Sequence, residues 1–107
     1  MVSDMVFIES AVFTRQVREL LTDEEYADLQ WHLALHPKAS EVIQNTGGLR
    51  KVRWASGGSG KRGGVRVIYF HAVKQNQIRL LLVYRKVVKD DLSAAEKKVL
   101  RKLNEKW

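Results

Sequence analysis

Apolar and polar residues alternate along residues 49–54 and again along 65–71, which predicts two β-strands with a period of two. Between them, residues 56–64 contain five glycines in nine positions, so the strands should form a hairpin around a glycine-rich loop. In each strand, basic residues such as Arg53 and Arg66 are interleaved with apolar ones. This pattern predicts a hairpin that packs one face on a core and displays cations on the other.

Apolar residues at helical spacing predict two helices before the hairpin. Ser10 can cap the first helix, because its hydroxyl can accept a hydrogen bond from the first turn. Thr22 and Glu25 form a capping box that opens the second, and Pro37 ends it, since the residue before a proline avoids the helical region. The two helices should form a hairpin against one side of a sheet, and residues 40–48 should form a connection.

The remaining elements complete an α+β fold. Residues 6–8 predict a first strand, and residues 78–86, which are apolar on both faces in their middle, predict a strand inside the sheet. A capping box at Ser93 and Glu96 opens a last helix. Four apolar residues should share one face of that helix: Val99, Leu100, Leu103 and Trp107. The predicted order is β-α-α-β-β-β-α in a single domain over residues 1–107, with consecutive strands antiparallel.

The net charge of +7 is unevenly distributed along the 107 residues. Residues 42–89 hold 11 Lys or Arg and no Asp or Glu, whereas residues 1–41 hold 8 acids and 3 bases. Residues 90–107 hold 5 bases and 4 acids. A surface that serves only solubility usually mixes both signs, so a block of one sign predicts a surface for a polyanion, nucleic acid first.

Several other kinds of site are disfavoured. The chain has no cysteine, which excludes disulfides and thiolate metal sites and fits a cytoplasmic location. His32 and His36 are spaced to share a metal, but no third ligand accompanies them, so we expect no metal and no other cofactor. The glycine loop lacks the Gly-Lys-Ser/Thr ending of a nucleotide-binding loop. The longest apolar run, residues 80–84, is too short to cross a membrane, and the N-terminus lacks the pattern of a signal peptide.

The candidates for binding and chemistry are therefore basic residues and one tyrosine: Arg50, Lys51, Arg53, Lys61, Arg62, Arg66, Arg85, Lys86 and Tyr84. Arg and Lys can hold phosphates and stabilise a pentacovalent phosphorane, and a Tyr or Lys whose pKa is lowered by nearby cations can act as a base. These groups would suffice to cleave RNA with its own 2′-hydroxyl as the nucleophile. They would suit a surface that only binds phosphates equally well, and the residues alone do not choose between the two.

At these positions the sequence resembles the HigB-type toxins of the RelE/ParE superfamily, which belong to bacterial type II toxin–antitoxin pairs. The resemblance extends over most of the chain and to the order of its elements. It implies a RelE-like domain whose mainly antiparallel, curved sheet is covered by an N-terminal helical hairpin and a C-terminal helix. The segments that carry it most clearly are Gly47-Gly48-Leu49-Arg50-Lys51-Val52-Arg53-Trp54, Gly60-Lys61-Arg62-Gly63-Gly64-Val65-Arg66-Val67-Ile68-Tyr69-Phe70, Tyr84-x-Lys86 and Asp91-Leu92-Ser93-x-x-Glu96.

The same resemblance implies a ribosome-dependent mRNA endonuclease that inhibits translation. Its expected partners are mRNA and ribosomal RNA in the ribosomal A site, and a cognate antitoxin of the HigA-like, helix-turn-helix kind. Arg66 matches the family's catalytic arginine, and Lys86, which follows Tyr84 as in Tyr-x-Lys motifs, would be a general acid or a phosphate clamp. Four further bases would grip RNA from the first hairpin strand and the loop: Lys51, Arg53, Lys61 and Arg62.

Three residues depart from the family pattern. Arg85 stands where relatives often have Gly, and Val87 and Val88 stand where polar residues are common. The C-terminal tyrosine that some members use as a base has no counterpart here, and Tyr84 is the candidate to replace it. Two alternatives to the enzyme therefore stay open. One is a non-enzymatic RNA- or ribosome-binding module that uses the same basic patch, and the other is a degenerate toxin kept as an antitoxin-binding partner.

Overall fold

A computed structural model describes residues 5–56, 64–89 and 91–107. Its helices and strands follow the predicted order, with one additional two-residue strand in the stretch expected to be a plain connection. The additional strand forms because the chain turns back after Pro37 and pairs briefly with the hairpin. The elements are β1 (Val6–Glu9), α1 (Ala11–Leu20), α2 (Asp23–Leu35), β2 (Glu41–Val42), β3 (Arg50–Trp54), β4 (Val65–Ala72), β5 (Gln77–Arg85) and α3 (Ala94–Glu105).

The strands form one sheet in the order β1-β5-β4-β3-β2. The pairs β2–β3, β3–β4 and β4–β5 are antiparallel, as short connections require, whereas β1 runs parallel to β5. β5 lies between β1 and β4, which confirms the prediction that its two-sided apolar pattern marks an interior strand. A register shift between Ile68 and Tyr69 interrupts the β4–β5 ladder.

Helices cover both faces of this sheet, so the fold is α+β in three layers. On one face, α1 and α2 bury Phe13, Leu29 and Leu33 against strand residues such as Val67, which confirms the predicted helical hairpin on one side. On the other face, a smaller cluster packs under α3: Leu49, Ile68, Leu81, Tyr84, Leu92 and Leu100. Within the described ranges, no helix combines the length and apolar character needed to span a membrane.

The predicted helix caps are all present. The Ser10 side chain accepts a hydrogen bond from the backbone N–H of Phe13 at 3.0 Å. Thr22 and Glu25 exchange the two bonds of a capping box, at 3.1 and 2.8 Å, and Ser93 and Glu96 do the same at 3.1 and 2.9 Å. Each cap satisfies N–H groups that the helix itself leaves without partners, so local sequence alone fixes where these helices begin.

The prediction of which residues form the inner face of α3 is partly wrong. Val99 and Leu103 are 65% and 41% exposed, whereas Leu100 and Asn104 are buried. The buried Asn104 is compensated because its side-chain carbonyl accepts a hydrogen bond from the Arg79 guanidinium at 3.3 Å. α3 therefore packs on a narrow stripe, and its apolar residues are divided between the sheet and the exposed side.

A cluster of polar contacts holds the α2–β2 connection against the helical-hairpin face of the sheet. The Tyr69 hydroxyl donates to the Pro37 carbonyl at 2.9 Å, and the Arg50 guanidinium donates to the Lys38 and Ser40 carbonyls at 3.1 and 2.6 Å. Near it, burial and then the charges of Lys38 and Arg50 lower the pKa of His71 below its usual value.

This lowered pKa predicts a loss of stability in mild acid. Below the unfolded-state pKa of about 6.5, the unfolded chain takes up a proton at His71 that the folded chain resists, so the free energy of unfolding falls as pH falls. His71→Gln should flatten this dependence between about pH 7 and pH 5.5. Urea denaturation across that range is the measurement. The two other histidines are common to both proteins, so an unchanged slope would mean that His71 titrates normally in the fold.

Candidate nucleic-acid interface

The centre of the candidate site is a row of three side chains across three neighbouring strands. In the register of the sheet, Arg53 pairs with Arg66, and Arg66 pairs with Tyr84. Residues directly opposite each other in antiparallel strands share a face, with Cβ atoms about 4.5–5.5 Å apart. The face is the one that α3 covers, because Ile68, two residues after Arg66, lies in the cluster under α3. We call these three residues the arginine–tyrosine row.

One end of the row is exposed, and its other two residues are buried. Arg53 is exposed, whereas Arg66 is 4% and Tyr84 is 7% exposed. The Arg66 guanidinium donates to the carbonyl of Val65 at 3.3 Å. Among the residues that the structure describes, no carboxylate forms an ion pair with Arg66. A buried cation of this kind interacts strongly with an anion, because little water screens the charges.

Lys51 lies on the same face but is already paired. Its ammonium is 3.0 Å from the carboxylate of Asp91 and 3.8 Å from that of Glu41, and its side chain is only 16% exposed. The hydrogen bond from Lys51, followed by its charge, lowers the pKa of Asp91 below the usual value. The basic block of residues 42–89 therefore contains no acid in its sequence. In the fold, however, acids from either side of the block form ion pairs with its lysines.

A second ion pair between a lysine of the basic block and an acid from outside it lies beside Tyr84. The ammonium of Lys89 forms an ion pair with Glu96 of α3 and lies 5.5 Å from the centre of the Tyr84 ring. This pair, followed by the backbone of Ser93, lowers the pKa of Glu96. The sequence predicted a capping role for Glu96 and no ion pair for either acid. Nothing in the local sequence indicates that Asp91 meets a lysine forty residues away.

If the basic face binds RNA, Asp91 would compete with a phosphate for Lys51, and Asp91→Asn should then strengthen the binding. Because an exposed ion pair is weak, we expect a gain of only about two- to fivefold in affinity at low salt. The measurement is fluorescence anisotropy with a single-stranded oligoribonucleotide. Asp28→Asn, which removes the same charge from an exposed position on α2, is the control and should leave affinity within about twofold. Equal gains from both substitutions would mean that only net charge matters.

The other candidate residues separate from the row. Arg50 lies on the opposite face, where its guanidinium holds the α2–β2 connection. Arg85 is exposed and pairs with Val65, a residue of the helical-hairpin core, so it also belongs to the opposite face. Lys86 follows β5, is half-buried, and its backbone N–H donates to the Gly64 carbonyl at 3.2 Å, next to the row. Lys61 and Arg62, together with the arm they were expected to form, lie outside the described residues.

Gly64 also shapes the site, although the sequence identified it only as part of the glycine-rich loop. A Cβ built on it would lie 2.1 Å from the carbonyl oxygen of Trp54, so β4 enters the sheet in direct backbone contact with β3. The signal in the sequence was the glycine directly before an apolar strand, which often marks such an approach. This contact lies two residues before Arg66, which pairs with Arg53 in the register of β3 and β4.

The two histidines noted in the sequence are close together on α2. The rings of His32 and His36 are 5.5 Å apart, and the His32 ring is 5.2 Å from that of Trp54. In the part of the chain that the structure describes, no three side chains of His, Cys, Asp or Glu come together as a group able to hold a metal ion.

The sequence was also compared with models of known protein families. No family model matches it.

Proposed function

We propose that this protein is a RelE-like, HigB-type toxin and acts as a ribosome-dependent endonuclease on mRNA. The observation that supports it best is the arginine–tyrosine row, in which a buried arginine stands between an exposed arginine and a tyrosine. Together these residues supply a phosphate-binding group, a charge stabiliser and a group able to move a proton. Transesterification by the RNA 2′-hydroxyl requires these functions.

In the proposed reaction, the 2′-oxygen attacks the adjacent phosphorus while the bond from phosphorus to the 5′-oxygen of the next nucleotide breaks. The products are a 2′,3′-cyclic phosphate and a free 5′-hydroxyl. Arg53, at the exposed end, receives the phosphodiester, and Arg66 stabilises the charge that builds up on the phosphorane. Tyr84 and Lys86 are the candidates to take the 2′-proton and to give one to the leaving oxygen.

The same proposal includes the surroundings of the reaction. mRNA and ribosomal RNA would meet the basic face in the ribosomal A site, in the cytoplasm. A cognate antitoxin, a HigA-like helix-turn-helix protein, would neutralise the activity. The fold is consistent with this assignment at the level of an α+β domain with helices on both faces of a mainly antiparallel sheet.

The test is a translation reaction programmed with a single mRNA. Addition of the protein should stop protein synthesis, and primer extension should find new 5′ ends within the translated region that require ribosomes. Intact mRNA together with normal protein synthesis would refute the proposal. Induced expression in growing bacteria should arrest growth in parallel, and co-expression of the antitoxin should restore it.

A second function, RNA or ribosome binding without cleavage, is favoured by two observations. Tyr84 is almost fully buried, as a core tyrosine would be, and Lys51 is held by two carboxylates rather than presented to a ligand. The same translation reaction separates the two functions, because a binding module would inhibit synthesis while leaving the mRNA intact.

A further inference from the structure

We infer that a second binding site for RNA phosphates lies between α3 and the connection of residues 43–48. This inference rests on the proposed function, because it concerns the path of the same RNA beyond the reacting phosphate. The site is a cavity of about 240 Å³, which we call the α3 groove. Its lining residues are Asn45, Ala94, Lys97, Lys98 and Arg101.

Among the described residues that line the α3 groove, three carry a positive charge and none is a carboxylate. Lys97, Lys98 and Arg101 are spaced i, i+1 and i+4, so one helix presents them together along a single side. Arg101 also donates to Glu105 at 3.2 Å, but both side chains are more than half exposed, and pairs of this kind are weak. Three clustered cations without an acid among them attract a polyanion.

The backbone opposite α3 is shaped to let Arg101 approach. Asn45 and Gly47 have positive φ values of 64° and 75°, so the connection turns sharply there. A Cβ built on Gly47 would lie 3.5 Å from Nε of Arg101, which shows how closely the arginine side chain passes over this turn. The turn therefore forms one wall of the groove, and α3 forms the other.

A neighbouring cavity connects the α3 groove with the sheet. This cavity has a volume of about 340 Å³, and Lys51 and Lys97 both line it. Since Lys97 belongs to both cavities, cations lead from the basic face of the sheet to α3. Glu41 and Asp91 also line the connecting cavity, so an RNA strand that follows this path must displace them from Lys51.

The chemistry of the lining identifies the ligand as a sugar–phosphate backbone. Ala94 is the one apolar side chain among the described residues of the groove, and no aromatic ring lines it. A peptide site would offer apolar pockets, and a base-binding site would offer a stacking surface. Positive charge without either feature suits phosphate contacts, which position a strand without reading its sequence.

The experiment compares two triple variants that lose the same charge. The first, Lys97→Gln with Lys98→Gln and Arg101→Gln, removes the cations of the α3 groove. The second, Lys74→Gln with Lys102→Gln and Lys106→Gln, removes three exposed lysines outside the lining. Fluorescence anisotropy measures the affinity of the unmodified protein and both variants for oligoribonucleotides of about four and about sixteen nucleotides, over a range of salt concentrations.

The groove variant should bind the long RNA at least about tenfold more weakly than the unmodified protein at moderate salt. Its slope of log K against log salt should be less steep by about 2, the value for three lost phosphate contacts on a single strand. The short RNA, which reaches only the row, should bind within about threefold of the unmodified protein, and the control variant should bind both RNAs nearly as the unmodified protein does.

Three results would overturn the inference while leaving the proposed function intact. They are equal losses in the two triple variants, an equal loss for short and long RNA, and competition by a polyglutamate peptide as effective as competition by unlabelled RNA of similar length. If the unmodified protein bound neither RNA, the inference would also fail, whereas the proposed function would still be decided by the translation reaction. Circular dichroism and thermal unfolding confirm that both variants are folded.

Discussion

Replacing Arg66 with alanine should reduce RNA cleavage by at least about a hundredfold, the loss typical when one group that stabilises transition-state charge is removed. Arg66 is the most buried member of the arginine–tyrosine row, so its charge acts where water screens it least. RNA binding should fall much less, because the exposed Arg53 remains to hold the phosphodiester. The measurement is the rate of mRNA cleavage in ribosome complexes with the protein in excess.

Because Arg66 is buried, alanine also leaves a void, and a second substitution is needed to separate chemistry from folding. Arg66→Met keeps an unbranched stem in the same space and should be as inactive as Arg66→Ala, but closer to the wild-type protein in thermal stability. Arg66→Lys keeps the charge without the planar fork and should recover only part of the activity. The matched control is Arg15→Met, because Arg15 is an exposed arginine of α1 that is distant in sequence from the row. A fully active Arg66→Met protein would remove Arg66 from the mechanism.

The alternation of the hairpin strands was predictable from sequence, because a period of two assigns every residue to a side once one apolar residue is known to be buried. The prediction that one face packs on a core and the other displays cations was wrong, since a buried cluster lies on each face and Arg66 is itself buried. Val52 and Val67 do lie in the helical-hairpin core, and Ile68 lies under α3, as the alternation requires. The helix starts were predictable for a similar reason, since a cap depends on residues only three positions apart. In both cases the decisive interaction is local.

It was less predictable which residues meet at the site, because this depends on strand register and on segments distant in sequence that pack against the sheet. Arg66 stands opposite both Arg53 and Tyr84 because of the register of β4 against β3 and β5, which no spacing rule specifies. Arg50 shows that membership of the basic block does not place a residue in the site. It is adjacent to Lys51 in the basic block, yet alternation places it on the other face, where it supports a connection.

The α3 helix shows why an apolar pattern alone can mislead. Val99, Leu100 and Leu103 are all compatible with one amphipathic face, but only Leu100 is buried. The helix is instead rotated so that the polar Asn104 reaches Arg79, a partner on β5 that helical periodicity cannot reveal. This rotation also determines which bases face the connection of residues 43–48, and so it determines the α3 groove.

If the proposed function holds, RNA phosphates must displace the carboxylates that pair with the lysines of the basic face. Asp91 holds Lys51, and Glu96 holds Lys89 beside Tyr84. Binding of a strand would exchange these ion pairs for phosphate contacts, so the net gain in affinity per cation is smaller than a count of bases suggests. Salt then has opposing effects, since it weakens the internal pairs as well as the contacts with RNA.

Gly64→Ala should be among the most destabilising single substitutions in this protein. The added Cβ would lie 2.1 Å from the carbonyl oxygen of Trp54 and 3.1 Å from Cα of Ala55. Both are backbone atoms, so no side chain can rotate away, and β3 and β4 must separate locally. We expect a loss of about 3 kcal/mol or more in the free energy of unfolding, a large part of the stability of a small domain. Urea denaturation measures this loss.

Gly47→Ala is the matched control, because it adds the same methyl group where there is space. Its nearest neighbour would be the Arg101 side chain at 3.5 Å, an ordinary contact, and its positive φ of 75° should cost only about 1 kcal/mol. If the two variants were equally stable, the close approach of β3 and β4 at Gly64 would be wrong. Gly64 also contacts a candidate of the proposed reaction, since its carbonyl accepts the hydrogen bond from the N–H of Lys86. Any Gly64→Ala protein that still folds should therefore lose RNA cleavage more than RNA binding, because the arginine–tyrosine row depends on this register while the exposed cations do not.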